Sequence, residues 1–245
     1  TPIINLIQIE QGETINAVIP VESFEPNRFL FFATRAGIVK KTPLDDYANI
    51  RKVGLIAISL REDDDLIGVK LTDGDREIIM ATSQGMSIRF QESDVRAMGR
   101  SATGVKGIAL DEGDTVIDMD VVDPDKDVLI VTANGYGKRT PMSEYRIQTR
   151  GGKGIKTLNV TDKNGAVVSL KVVQDDEDLM IMTTSGTLIR TSMSGINTMG
   201  RITQGVKLIN IREDDAVSTV TRAPRSEDDQ GEEDAGGEAD TAPAE

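Results

Sequence analysis

Asp127-Val-Leu-Ile-Val-Thr-Ala-Asn-Gly-Tyr-Gly-Lys-Arg-Thr140 reads as a β-hairpin. Val128 to Val131 is a short apolar run rich in branched side chains, as in a buried strand. Ala133-Asn134-Gly135 supplies a tight turn, and Tyr136 to Thr140 lead back. The same unit returns at Ala33-Thr-Arg-Ala-Gly37-Ile-Val-Lys-Lys41-Thr, at Ala81-Thr-Ser-Gln-Gly85-Met-Ser-Ile-Arg89-Phe and at Met182-Thr-Thr-Ser-Gly186-Thr-Leu-Ile-Arg190-Thr. The four turn glycines lie 48, 50 and 51 residues apart. A period of that size marks an array of supersecondary units that stack on one another.

Each copy continues in the same way. In the third, a polar stretch from Pro141 to Gly152 leads to a strand opened by glycine, Gly154-Ile-Lys-Thr-Leu-Asn-Val160. The turn Asp162-Lys-Asn-Gly165 then feeds a fourth strand from Ala166 to Val172. Gly54, Gly104, Gly154 and Gly205 open the third strand throughout, and acidic turns at Glu62–Asp65, Asp111–Asp114 and Glu213–Asp215 precede the fourth. No helical period emerges. The expected fold is all-β, a propeller-like disc of four-stranded blades or a serial solenoid. The repeats fall at about 29–73, 77–123, 127–174 and 178–222. Residues 1–23 match the second half of a unit, with strands at Ile3–Ile9 and Ile15–Ile19, so about four and a half repeats are present. Thr1-Pro2 carries no initiator Met, and the chain reads as a piece of something larger.

Composition narrows the chemistry. The 245 residues contain no Cys and no His, which excludes disulfides, thiolate metal sites and histidine-dependent catalysis. No apolar run reaches the roughly 20 residues of a bilayer span. The net charge of −13 is unevenly placed. Residues 225–245 hold nine carboxylates against Arg225, a net of −8, which leaves −5 for the other 224 residues. Residues 223–245 therefore read as a disordered acidic tail behind a folded domain spanning 1–222.

Cations recur in register. Lys41, Arg89, Arg139 and Arg190 each stand four residues after the turn glycine, with Lys40 and Lys138 beside them. A second set precedes the third-strand glycine: Arg51 by three residues, and Arg100, Arg150 and Arg201 by four. A third follows it by two: Lys106, Lys156 and Lys207, with Ile56 in the first copy. Exposed strands also carry Lys and Arg for solubility and edge protection. Three offsets recurring together suit the regular phosphates of a polyanion better. With an aromatic fraction of 3% and no recognition helix, backbone and shape binding is expected, not base readout.

Gln148-Thr-Arg-Gly-Gly-Lys-Gly-Ile155 is the sharpest local motif. Its glycines allow close approach to a phosphate, Arg150 and Lys153 bring charge, and Gln148 brings a neutral donor. A flexible surface turn has the same composition, and the spacing is not that of a P-loop. The motif resembles the gyrase box, a Gln-basic-Arg-Gly-Gly-basic-Gly heptapeptide, with Thr149 in place of the first basic residue. Asn134–Thr140, Ser93–Gly99 and Gly200–Val206 extend the similarity over residues 1 to about 222, to the DNA gyrase A C-terminal domain family. The resemblance implies a six-bladed β-pinwheel whose blades exchange strands and around whose basic rim duplex DNA bends. It places the functional box in the first blade, so that the Gln148 motif falls in the fifth as a degenerate copy. It also implies assembly with the rest of a gyrase A polypeptide and with the gyrase B polypeptide in a bacterial cytoplasmic heterotetramer. ATP and Mg would be used elsewhere in that holoenzyme, with no cofactor, no catalytic residue and no membrane contact in this piece. The tail is either a solubilising disordered terminus or, as the resemblance implies, a polyanion that competes with DNA for the rim.

Three other readings carry different expectations. The equivalent domain of topoisomerase IV has fewer or degenerate blades and no box. A protein-binding propeller predicts an apolar face. A channel hydrolase needs converging carboxylates or a nucleophile–base pair. The acidic turns lack the alternating spacing of a calcium loop and read as solvated hairpin turns.

Overall fold

The computed structural model describes residue 13 and residues 15–49, 54–212 and 214–225. Four antiparallel sheets follow one another along the chain. The first comprises β1 (Phe29–Thr34), β2 (Ile38–Pro43) and β3 (Leu66–Thr72). The second comprises β4 (Glu77–Thr82), β5 (Met86–Gln91) and, after the two-residue β6 (Val105–Lys106), β7 (Val116–Val121). The third comprises β8 (Asp127–Thr132), β9 (Tyr136–Pro141) and, after β10 (Ile155–Lys156), β11 (Val167–Val173). The fourth comprises β12 (Glu177–Thr183), β13 (Leu188–Ser192) and, after β14 (Val206–Lys207), β15 (Val217–Pro224).

The short third strands do not stay in their own sheets. The spatial orders are β3-β1-β2-β6, β10-β5-β4-β7, β11-β8-β9-β14 and β13-β12-β15. Thus β6, β10 and β14 each cross to the hairpin of the preceding repeat and form its outer edge. The inner strands β3, β7, β11 and β15 pack successively against one another. The result is a pinwheel, a propeller whose blades are stitched together by exchanged strands.

Three of the four hairpins close the same way. Thr34, Thr82 and Thr183 accept a hydrogen bond from the backbone N–H four residues on, all at 3.2 Å. At the same Thr, the ladder to the fourth strand shifts register, a bulge repeated in every blade that adds twist. The acidic turns are not merely solvated. Asp64, Asp114 and Asp215 accept the turn N–H groups of Ala36, Gln84 and Ser185 at 2.8, 3.0 and 2.9 Å. Their carboxylates cap backbone donors that would otherwise lack partners.

The core lies between blades. Phe31, Ala33 and Val39 pack against Ile78, Met80 and Phe90, while Ile79 and Ala81 turn to Val128, Ile130 and Tyr145. Leu129 and Val131 meet Leu179, Ile181 and Met193. Both faces of a first strand are buried, which explains the continuous apolar runs.

Three local expectations change. The third strand is two residues long, not seven, because Thr157 and Leu158 bend to donate to Gly85 O. The polar stretch holds a one-turn 3-10 helix in each repeat: Leu44–Tyr47, Glu92–Asp94, Met142–Glu144 and Met193–Gly195. Finally, Ile15–Ile19 and residues 54–60 form no strand. Each would pair with a hairpin of the partial repeat, and no such hairpin stands among the described residues. The proposed strand Ile3–Ile9, and residues 226–245 of the acidic segment, lie outside the described residues.

Candidate nucleic-acid interface

The exchanged third strands place one set of cations outward. Val206 and Lys207 lie opposite Gly137 and Tyr136, Ile155 and Lys156 opposite Ser87 and Met86, and Lys106 opposite Ile38. In each pair the apolar residue is half-buried against the blade and the lysine is exposed. Lys106, Lys156 and Lys207 thus occupy equivalent places on three successive outer edges. Lys207 and Lys163 both lie near the Tyr136 ring, 5.8 and 5.6 Å from its centroid.

Two of the arginines before the third-strand glycine clip one rim segment to the next. Arg150 donates from Nη1 to Lys106 O at 3.0 Å and from Nε to Asp94 O at 2.8 Å. Arg201 donates from Nη1 to Lys156 O at 2.8 Å. Both are partly exposed, as is Arg100. Arg51 lies outside the described residues. In the Gln148 motif, Gly151 N–H donates to Gly107 O at 2.5 Å and Gln148 N–H to Arg89 O at 2.8 Å. Lys153 is exposed and pairs with the equally exposed Asp111 at 2.6 Å. Gln148 Nε2 is buried without a hydrogen-bond acceptor in the structure.

The cations four residues after the turn glycine sit elsewhere. Arg89 reaches back twelve residues to Glu77 at 2.5 Å, Arg139 to Asp127 at 2.8 Å, and Arg190 to Asp178 at 2.7 Å. In two of them the other side of the guanidinium turns to the next repeat. Arg89 donates to Met142 O and Tyr145 O at 3.1 and 2.9 Å, and Arg139 to Met193 O at 2.9 Å. Lys41 contacts the equivalent Glu92 O at 3.2 Å and lies 5.1 Å from the Phe29 ring centroid. These side chains are spent on joining blades; Arg190, at 41% exposure, is the open member. Lys40 and Lys138 are wholly buried. Burial pushes both ammonium groups down to about 8.

Two exposed cations escaped the sequence reading. Arg96 and Arg146 follow the 3-10 turns, four residues before Arg100 and Arg150. They flank Ala97 and Ile147, which bridge in parallel to Lys41 and Arg89 at the blade edge. Their matched offset was the available signal.

Exchanged strands, stacked blades and a lysine on three successive outer edges define a β-pinwheel with a basic rim. The family model described as "DNA gyrase C-terminal domain, beta-propeller" matches residues 28–73, 76–123, 126–174 and 177–224. The DNA gyrase A polypeptide of Halalkalibacterium halodurans is 66% identical over 95% of this chain and 28% of its own length. That of Klebsiella oxytoca is 41% identical over 98% of this chain and 29% of its own length. A solved C-terminal domain of DNA topoisomerase IV superposes with a TM-score of 0.85 at 31% identity, covering 91% of this chain and 70% of that one. A DNA gyrase A C-terminal domain gives 0.81 at 26%, covering 90% and 74%. Fold alone therefore does not separate the two topoisomerases; the curated relatives at 66% and 41% identity are both DNA gyrase A polypeptides. The chain belongs to the DNA gyrase A C-terminal domain family, and it spans under a third of the curated relatives it matches.

Proposed function

We propose that this chain binds duplex DNA without sequence preference and bends it along the rim, as the wrapping part of a gyrase that introduces negative supercoils. The observation that carries this reading is the exposed lysine at one place on three consecutive edges, Lys106, Lys156 and Lys207. Arg96, Arg100, Arg146, Arg150, Lys153 and Arg201 extend the same edge, and Gln148 lies within it. Such spacing suits phosphates, whose neutralisation releases counterions. Bending 20–30 bp costs on the order of 1–6 kcal/mol, which several rim cations per blade can offset. Strand cleavage, ATP and Mg belong in this reading to the remainder of the gyrase A polypeptide and to the gyrase B polypeptide, in the bacterial cytoplasm. Among the described residues, no helix is long and apolar enough to cross a membrane.

The test is topological. Closed circular DNA relaxed by a nicking-closing enzyme in the presence of the chain should emerge with an altered linking number. The change should shrink between about 50 and 200 mM salt, where a protein contacting 6–10 phosphates loses roughly 10³–10⁵ in affinity. No shift and no salt dependence would favour a protein-binding scaffold.

A further inference from the structure

Two fully buried lysines hold the loops that lead to exposed ones. The Lys138 ammonium, fully buried, donates to Gly200 O and to Arg201 O, both at 2.6 Å. These carbonyls belong to the rim loop of the following repeat. From the same loop, Arg201 extends to Lys156 O, and six residues on the chain reaches exposed Lys207. Lys40 repeats the arrangement two blades earlier. It lies 5.2 Å from the Phe32 ring centroid, donates to Ala57 O at 2.6 Å and to Arg100 O, and its loop runs on to Lys106. At the same position the other two blades carry Ile88 and Ile189. The blade therefore folds with a hydrocarbon there, and burying an ammonium instead is the costlier choice.

We propose that Lys138 and Lys40 are positioning residues for DNA binding, each fixing from inside its blade the rim loop that carries the exposed cations of the next repeat. The proposal rests on the DNA-binding reading above. Glu144 and Arg201 face Lys138, and Asp46 and Arg100 face Lys40. With no His and no Cys in the chain, the side chains that ordinarily titrate near neutrality are absent. Both ammonium groups lose their protons near pH 8. DNA affinity should then fall between pH 7 and 9 as the charge-assisted bonds to the loops weaken. Stability moves the other way. The folded pKa lies below the unfolded value of roughly 10.4, so the unfolded chain binds more protons from about pH 8 upward, and stability rises across that window.

The experiment measures binding of the full 245-residue chain to a linear duplex at several salt concentrations and at pH 7 and 9, with melting temperatures alongside. K138M should lose about tenfold in affinity at pH 7 while melting close to the wild-type temperature, the relief of burying an ammonium offsetting the two carbonyls left without that donor. Its slope of log affinity against log salt should match the wild type, because Lys138 touches no phosphate. K207A should lower that slope by about 0.9. K138Q, whose amide carries two donors on a side chain one bond shorter, should recover part of the affinity, and K40Q combined with K138Q should lose the pH dependence. Wild-type affinity in K138M, or a slope lowered as in K207A, would overturn the proposal while leaving DNA binding intact. If K138M melts well below wild type, K138Q decides: restored melting without restored affinity also overturns it. A wild-type chain that binds no DNA removes both readings.

Discussion

Arg89 and Arg190 occupy one position of the repeat, each paired with the carboxylate twelve residues earlier, yet their surroundings differ. The Arg89 guanidinium also satisfies two carbonyls of the next blade, and its side chain is 11% exposed. Removing it strands Glu77 and both carbonyls. Arg89→Ala should therefore cost about 3 kcal/mol, read from urea midpoints, and Arg190→Ala about 2, because the latter leaves the buried Asp178 carboxylate unpaired but no carbonyl of a following blade. Equal losses would show that the contact to the next blade contributes nothing. The recurrence of this cation was visible in sequence. Its direction was not, because offset and charge are the same for a side chain facing solvent and one facing a neighbouring carbonyl.

Among the elements, each of the three exchanged strands depends on two glycines. Gly154, at φ +77°, lies so close to the blade it joins that a β-carbon would collide with Ser87 O. The turn glycine Gly85 accepts from Thr157 and Leu158 of the following repeat. Gly186 has a similar φ of +87° but nothing within 4 Å. Gly186→Ala should cost about 1 kcal/mol of backbone strain alone, and Gly154→Ala more than about 2, with matching shifts in melting temperature. Similar losses would mean that the crossing backbone tolerates a side chain. Four strands per repeat could be counted from the apolar runs and turns. That the third belongs to the preceding blade could not, since its short apolar-Lys pattern after glycine fits either edge.

For the whole molecule, the charge divides by place. The carboxylates of Asp64 and Asp114 are buried caps of hairpin turns, while Lys106, Lys156 and Lys207 ride the outer edge. The triple variant K106A/K156A/K207A should lower the salt slope of DNA binding by about 2.7 with little change in melting temperature. An unchanged slope would move the interface off these edges.

Repeat length, strand count, the all-β class and the likeness to the gyrase family were written in local order, because glycine turns, apolar runs and a near-intact box are short-range patterns. Which cations reach solvent was decided only by the exchange of strands between blades. That exchange buries Lys40, Lys138 and Arg139 against carbonyls more than fifty residues away, and it turns the lysines of β6, β10 and β14 outward. Burial depends on which chain segment arrives to cover a side chain, and a one-dimensional period does not contain that.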